Sequence, residues 1–321
     1  MNIKQILQQH NDEWDTFVLS SNNGTIFHQL KFLSYHHPEK FQFHHLAFYK
    51  DNTLVAVLPG ALENGIFSSP MGASYGSFVT ADSDFSDYEE LIDSLLTYAQ
   101  ENAIKEIRLT PPPLIYMNRQ NEIERFLLSY KGFEVEKHLI TNVVNLESAT
   151  VETLMDNLTS MARRNVKKAD ELGVTVRFSD DFDSFYPMLV ENKQKFDVKP
   201  AHTLEELKKL KELFPDKIRL LAAYSADNTL IGGIVLFVTN TKTLLAFYIC
   251  HYFEYQEQRA VNKLLFEVLR FALENNYQYV DLGVSMNTAV SNPMEPSRSL
   301  IFFKEGIQSR GFLRTTYKKT L

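Results

Sequence analysis

The amino-acid sequence predicts an α/β protein made of two similar halves, each with a mixed sheet. The first observation is a strand, helix and strand pattern between Leu244 and Ser285, which a parallel strand pair with a crossover helix produces. The second is an internal repeat: Asp-Asn-Thr-Leu occurs at 51–54 and again at 227–230. A related match, 99–102 with 272–275, follows in the same order. Two ordered matches indicate a duplicated domain, with halves at 1–147 and 148–321.

Composition narrows the class of protein. The 321 residues are 44% hydrophobic and 23% charged, as in ordinary globular domains. A net charge of −7 provides no global field for nucleic acid, although a local basic patch remains open. The one cysteine, Cys250, fits a reducing compartment. Without a signal peptide or a run of about 18 apolar residues, a cytoplasmic protein without a membrane span is expected.

The first half reads as helices and strands in alternation. A short helix is expected to end near Ser20, and Asp51-Asn52 marks a hairpin turn between two apolar strands. A loop rich in small residues spans 68–78. Strands are predicted at 45–49, 54–58, 104–109 and within 133–146, and further helices at 27–35, 88–101 and 122–130.

The second half continues the pattern. A helix over 153–172 is expected to stop at Gly173. Strands are predicted at 174–178, 218–224, 230–238, 244–250, 279–284 and 312–317, and further helices at 182–196, 204–213, 261–273 and 299–305. In parallel sheets ligands bind beyond the carboxyl ends of the strands. Here those ends fall at 251–258 and 283–286.

The usual catalytic motifs are absent from the sequence. It has no Gly-x-Ser-x-Gly elbow, no phosphate-binding loop and no dinucleotide fingerprint. The nine histidines lack ligand spacing with cysteines or carboxylates, so no metal is expected. Cys250 lies within an apolar strand, where a cysteine is far more often a packing residue than a nucleophile. No tightly bound cofactor is expected.

Several segments of the second half carry a family resemblance. The stretch Ala162 to Val174 resembles the Arg-Arg-Asn, Lys-Ala and Gly-Val segment of the FemABX-like peptidoglycan-bridge transferases and their GNAT-fold relatives. Further similar segments follow in the family's order at 232–236, 248–255, 279–283 and 302–306. Together they cover most of residues 160–317 and are specific for the superfamily rather than for a substrate.

The resemblance implies two tandem GNAT-like domains and transfer of an activated acyl or aminoacyl group to an amine. Splayed central strands would hold the acyl carrier along a backbone edge. The protein must orient the amine, stabilise an oxyanion and take a proton. The co-substrate would be an acyl-CoA or an aminoacyl-tRNA, and the acceptor a small-molecule or peptide amine.

One segment departs from the GNAT pattern. Acetyl-CoA enzymes usually carry a glycine-containing loop whose backbone N–H groups cradle the pyrophosphate, but residues 257–264 contain no glycine. The missing glycine argues against acetyl-CoA binding in the second half. Two alternatives to an acetyl-CoA enzyme remain. One is an aminoacyl-tRNA-dependent peptidoglycan-precursor transferase, although the predicted helix at 204–213 is too short for a coiled-coil tRNA arm. The other is a non-catalytic protein that kept the fold and binds an anionic ligand.

The resemblance also selects candidate residues. Residues expected to line the acceptor or proton-transfer site are Tyr248, His251, Tyr255 and Asp281. Residues expected to hold an anionic carrier or acceptor are Arg163, Arg164, Lys167, Lys304 and Tyr75. For each there is a structural alternative: a solvated helix face for the basic helix, an exposed lysine for Lys304, and caps or turns for the others.

Overall fold

The computed structural model describes residues 1–7, 11–195, 198–287 and 290–321. The chain divides into two compact units, residues 1–138 with 313–321, and residues 139–312. The α/β class with mixed sheets is confirmed. The C-terminal strand ends in the first unit, which the pattern of the sequence did not indicate. The domain limits 1–147 and 148–321 stay a prediction.

The first unit contains two groups of strands with helices between them. Four antiparallel strands occur in the order β1, β2, β3, β6, and in a second group β4, β5, β7 and β14 are neighbours. Its strands are β1 (Asn2–Ile6), β2 (His45–Lys50), β3 (Thr53–Leu58), β4 (Ala61–Glu63), β5 (Ile66–Ser69), β6 (Val79–Thr80), β7 (Glu106–Leu109) and the end of β14 (Arg310–Thr320). Its helices are α1 (Asp12–Ser20), α2 (Leu30–Leu33), α3 (Phe85–Glu101) and α4 (Ile123–Tyr130).

Two strand pairs of this unit differ from the prediction. The first residues form β1 rather than the start of a helix, because Ile3 pairs with Phe48 of β2 and completes that sheet. The hairpin of β4 and β5 was also missed. Its turn is Asn64-Gly65, both with positive φ (54° and 80°), and Asn-Gly is a strong hairpin signal that the sequence does contain.

The second unit holds one six-stranded mixed sheet in the order β8, β13, β12, β11, β10, β9. Its strands are β8 (Glu134–Asn145), β9 (Thr175–Ser179), β10 (Ile218–Tyr224), β11 (Leu230–Val238), β12 (Thr243–His251) and β13 (Tyr279–Val284). Its helices are α5 (Leu154–Asn157), α6 (Ser160–Glu171), α7 (Phe182–Gln194), α8 (Leu204–Leu213), α9 (Ala260–Glu274) and α10 (Arg298–Glu305). The apolar face of α9 packs into the core through Leu264, Leu265 and Val268.

Both copies of the repeat lie in antiparallel hairpins. The first forms a two-residue turn between β2 and β3, with φ of 49° at Asp51 and 65° at Asn52, as a type I′ turn requires. The second lies in a longer loop, because β10 and β11 separate at Tyr224 and Leu230.

The helix predicted at 153–172 is two helices. Leu158 is extended, and the Thr159 side chain caps α6 by accepting the N–H of Ala162. Thr159 also donates to the carbonyl of Gly306 through its hydroxyl (3.0 Å). Tertiary contact thus places the break. Gly173 ends α6 with a φ of +75°, as predicted.

A buried carboxyl in the first unit makes stability depend on pH. Glu124 of α4 is 4% exposed and accepts a hydrogen bond from the Ser77 hydroxyl. Burial raises the pKa of Glu124 from 4.5 to about 7. A carboxyl whose pKa is higher in the folded chain stabilises the fold below its unfolded pKa. That contribution is lost as the pH rises through the folded pKa.

Glu124→Gln is therefore expected to remove a pH dependence of stability. Relative to this variant, the wild-type free energy of unfolding should fall by about 3 kcal/mol between about pH 4 and about pH 9. Urea denaturation across this range measures the difference. Glu101→Gln, at an exposed carboxyl, is the control. If the free energy of unfolding of both variants changed with pH in the same way, the Glu124 carboxyl would not be the source of the pH dependence.

Candidate active site

The central parallel strands of the second unit separate at their carboxyl ends. β12 and β13 pair at only three positions, from Thr243 with Tyr279 to Leu245 with Asp281. β12 then continues to His251 without a partner strand on that side in the described part of the sheet. The result is an opening lined by the unpaired backbone edge of β12, at the location that the sequence predicted.

Two bulges explain why the strands separate. In β12, Phe247 is an extra residue, because Val235 of β11 faces Tyr248 while Leu236 faces Ala246. In β13, the register with β8 shifts after Asp281, where Gly283 has a φ of +73° that favours glycine. Bulges bend a strand and increase its twist, so both strands turn at the point where their pairing ends.

Lys304 of α10 secures the end of β13. Lys304 is only 3% exposed. Its ammonium donates to the carbonyls of Gly283 (2.8 Å) and Val284 (3.2 Å) and to the Ser285 hydroxyl (2.9 Å). Burial lowers the pKa of Lys304 from 10.5 to about 8, while the Asp281 carboxylate opposes this shift. The alternative of an exposed lysine is wrong for Lys304, and all three of its donor positions are used within the protein.

Asp281 holds the bulge of β13 from the other side. The residue is fully buried, and its Oδ1 accepts the Thr141 hydroxyl (2.5 Å) and the N–H of Gly283 (2.8 Å). Asp281 and Lys304 thus form a buried polar support for the opening.

Tyr248 belongs to the packed part of the site. Tyr248 is only 4% exposed. Its hydroxyl lies 2.8 Å from Nδ1 of His202 and accepts a hydrogen bond from the His202 backbone N–H (3.1 Å). Burial raises the pKa of Tyr248, so the phenol stays protonated at neutral pH and cannot act as a base there. These bonds anchor the segment before α8 to β12.

His251 ends β12 and is half-buried. The side-chain amide of Asn192 donates to its carbonyl (2.5 Å), which ties the end of α7 to the strand. Burial, and then the nearby Lys195 charge, lower the pKa of His251 from 6.5, so the imidazole is neutral at pH 7 and can accept a proton. Tyr255 is half-buried in the turn after the strand and packs against the core. The structure thus brings Tyr248, His251, Asp281 and Lys304 to the same end of the strand pair.

The basic helix α6 does not present its four charges together. Arg163 donates through Nη2 to the carbonyls of Asp156 (2.8 Å) and Leu158 (3.3 Å), so it caps α5. Its role in holding an anion stays a prediction. Lys168 pairs with Glu257 (3.2 Å). Arg164 and Lys167 are exposed. Lys304 points into β13 instead of joining this surface.

Tyr75 lies in the first unit and is 2% exposed. Its ring packs against Phe27 (5.8 Å between ring centroids) and Tyr116 (5.0 Å), and the guanidinium of Arg314 lies 5.1 Å from the ring centroid. These contacts place Tyr75 in an aromatic cluster. Its predicted role in substrate binding stays a prediction.

The start of α9 carries side chains where a pyrophosphate loop would have glycine. Arg259 is the N-terminal cap residue with a φ of +57°. Glu257 accepts ion pairs from Arg259 and Lys168, both at 3.2 Å. The two cations outweigh the carboxylate, so it is the lack of glycine, rather than the local charge, that disfavours a pyrophosphate at this helix start.

Two residues near the opening were missed from the sequence. Lys193 and Asn192 lie at the end of α7, in a polar stretch that resembles any solvated helix end. His202 was likewise unremarkable until the structure placed it against Tyr248. Among the residues that the structure describes, no group of three or more His, Cys, Asp or Glu is placed to hold a metal ion. Within the same ranges, no helix has the length and apolar character needed to cross a membrane.

Comparison with known proteins agrees with this geometry. Residues 157–288 match the family described as an acetyltransferase (GNAT) domain. No curated protein matches the chain.

Three solved structures have the same fold. FemX has a TM-score of 0.75 at 13% identity, with 100% of this chain and 98% of FemX covered. The C-terminal domain of a putative lysylphosphatidylglycerol synthetase from Agrobacterium fabrum has a TM-score of 0.62 at 9% identity. The match covers 96% of this chain and 90% of that domain. A tandem GNAT protein from the clavulanic acid biosynthesis pathway has a TM-score of 0.54 at 10% identity. The match covers 99% of this chain and 98% of that protein. The predicted tandem GNAT-like fold is confirmed, and the resemblance to FemX extends to the fold of the whole chain.

Proposed function

We propose that this chain, whose residues 157–288 form a GNAT domain within a FemX-like fold, is an N-acyltransferase that moves an activated acyl or aminoacyl group to an amine. The observation that supports the proposal is the opening between β12 and β13. Its unpaired β12 edge offers backbone hydrogen-bonding groups to an extended acyl carrier, as a missing strand would. The acceptor would be a small molecule or a peptide.

The reaction requires few side chains. The amine nitrogen attacks the carbonyl carbon of the thioester or ester, and a C–N bond forms. The C–S or C–O bond then breaks, and the leaving sulfur or oxygen takes a proton. Backbone N–H groups at the bulge around Phe247 would stabilise the oxyanion. The neutral imidazole of His251 would take the proton from the amine.

The other residues of the opening position these groups. Lys304 and Asp281 hold the end of β13, and Tyr248 holds the segment at His202 against β12. None of the three needs to titrate during the reaction. Because their hydrogen bonds are already made inside the protein, they supply a site whose geometry exists before the substrate binds.

The donor is better explained by an aminoacyl-tRNA than by CoA, which makes the aminoacyl-tRNA-dependent peptidoglycan-precursor transferase the second candidate. The start of α9 has no glycine, and its Glu257 carboxylate is held by Lys168 and Arg259. A pyrophosphate would meet side chains there instead of the close backbone N–H groups of a glycine loop. Arg164 and Lys167 remain exposed for a polyanion.

A donor panel tests the proposal. The purified chain is incubated with acetyl-CoA, a longer acyl-CoA or aminoacyl-tRNA, each with amino acids and short peptides as acceptors, and new amide products are identified by mass spectrometry. Transfer from aminoacyl-tRNA alone is expected. Transfer from acyl-CoA alone would retain the enzyme class and exclude the tRNA donor. Ligand binding without any product would instead support the non-catalytic alternative.

A further inference from the structure

Lys193 is a partly buried cation beside Tyr248, at the opening. It lies at the end of α7, and its ammonium is 6.0 Å from the centroid of the Tyr248 ring. The neighbouring Asn192 side chain fixes this end of the helix through the carbonyl of His251 (2.5 Å). The position of Lys193 is therefore set by the same contacts that shape the end of β12.

Its ammonium has no anionic partner within residues 1–7, 11–195, 198–287 and 290–321. Three other lysines of the second unit do have one: Lys168 pairs with Glu257, Lys208 with Asp183, and Lys263 with Asp170. Lys193 instead lies near the buried Cys250, and burial lowers its pKa. A partly buried charge without a counter-ion is costly unless a ligand supplies one.

The local charges leave one positive charge uncompensated. Lys193 and Lys304 are close enough that Lys193 contributes to lowering the pKa of Lys304, and Asp281 acts on Lys304 in the opposite sense. With Lys195 and Glu191, whose charges also act on His251 at this end of β12, three ammonium groups and two carboxylates sum to +1. Lys304 donates to three protein oxygens, and Lys195 is exposed and lies over the Phe253 ring. Lys193 is therefore the partly buried cation with donors left for a ligand.

We infer that Lys193 binds a carboxylate of the acceptor, so that the acceptor is an amino acid or peptide with a free carboxylate as well as its amine. This rests on the proposed function, since it assigns part of the substrate of the same site. A carboxylate matches the single excess charge. A phosphate dianion exceeds the single excess charge and would call for more donors than one ammonium offers.

Carboxylate binding is measured on the whole chain, without any donor, by following the relaxation of isotope-labelled acetate as protein is added. Wild type is expected to bind acetate saturably. Lys193→Met, which keeps the length of the side chain without its charge, should bind roughly tenfold more weakly or not at all. Lys105→Met, at an exposed lysine of the first unit, is the control and should bind as wild type does. Equal urea denaturation of the three proteins checks folding.

Three results would overturn the inference: no saturable acetate binding in wild type, unchanged binding in Lys193→Met, or displacement of acetate by inorganic phosphate far below the acetate concentration. The proposed function is separable from these outcomes. If acetate does not bind but amide products form in the donor panel, only the assignment of Lys193 fails. If acetate binds through Lys193 and no donor yields product, the carboxylate site remains and the transferase proposal fails.

Discussion

Replacing His251 by glutamine is expected to lower the rate of acyl transfer by roughly 100- to 10,000-fold, the usual contribution of a positioned general base. Glutamine keeps a polar side chain at the end of β12 but cannot take a proton from the amine. The contact that ties α7 to this residue is made to the His251 carbonyl, so it survives the replacement. Steady-state rates with the active donor measure the effect.

The pH profile gives this expectation a second test. Burial and the Lys195 charge lower the pKa of His251 from 6.5, so wild-type activity should be full at pH 7 and fall as the pH drops through that lowered value. The His251→Gln variant should lack this fall in activity at low pH. His44→Gln is the matched control, since His44 lies in the first unit and burial also lowers its pKa. A wild-type rate in His251→Gln, or an unchanged acid limb, would remove His251 as the base.

Lys304→Met is expected to reduce the free energy of unfolding by about 3 kcal/mol or more. The replacement leaves the carbonyls of Gly283 and Val284 without their donor. It also leaves the buried Asp281 carboxyl without the nearby positive charge. Because the end of β13 forms one wall of the opening, donor binding should weaken in the same variant. Urea denaturation at neutral pH measures the stability.

Replacing an exposed lysine should have a much smaller effect on stability. Lys167→Met, at an exposed position of α6, should change the stability by about 1 kcal/mol at most. Lys304→Arg keeps the charge but forces a larger group into a buried site, so it should fall between wild type and Lys304→Met. If Lys304→Met were as stable as Lys167→Met, the ammonium would not be holding β13.

The central strand, helix and strand unit could be predicted because its signals are local. The apolar run of β12, the helical spacing along α9 and the apolar residues of β13 each match one structural period. Their predicted limits differ from the observed ones by a residue or so, and β12 and β13 are parallel. The hairpin at Asp51-Asn52 is of the same kind, since the turn residues themselves adopt the required positive φ. The carboxyl ends of these strands were therefore placed correctly as the site of the opening.

The role of each charged side chain depended on contacts that the sequence pattern did not show. Arg163 looked like Arg164 in the sequence, yet one caps α5 and the other is exposed. Lys304 looked like any basic residue near a chain end, but its burial against β13 follows from how α10 packs. Lys193 gave no signal, because whether a lysine has an anionic partner among the described residues is decided by the fold. The sequence by itself determined the strands and helices with strong local signals, and with them the carboxyl ends of β12 and β13. Tertiary packing alone decided which charges are buried, since burial and partner distance set the cost of a charge.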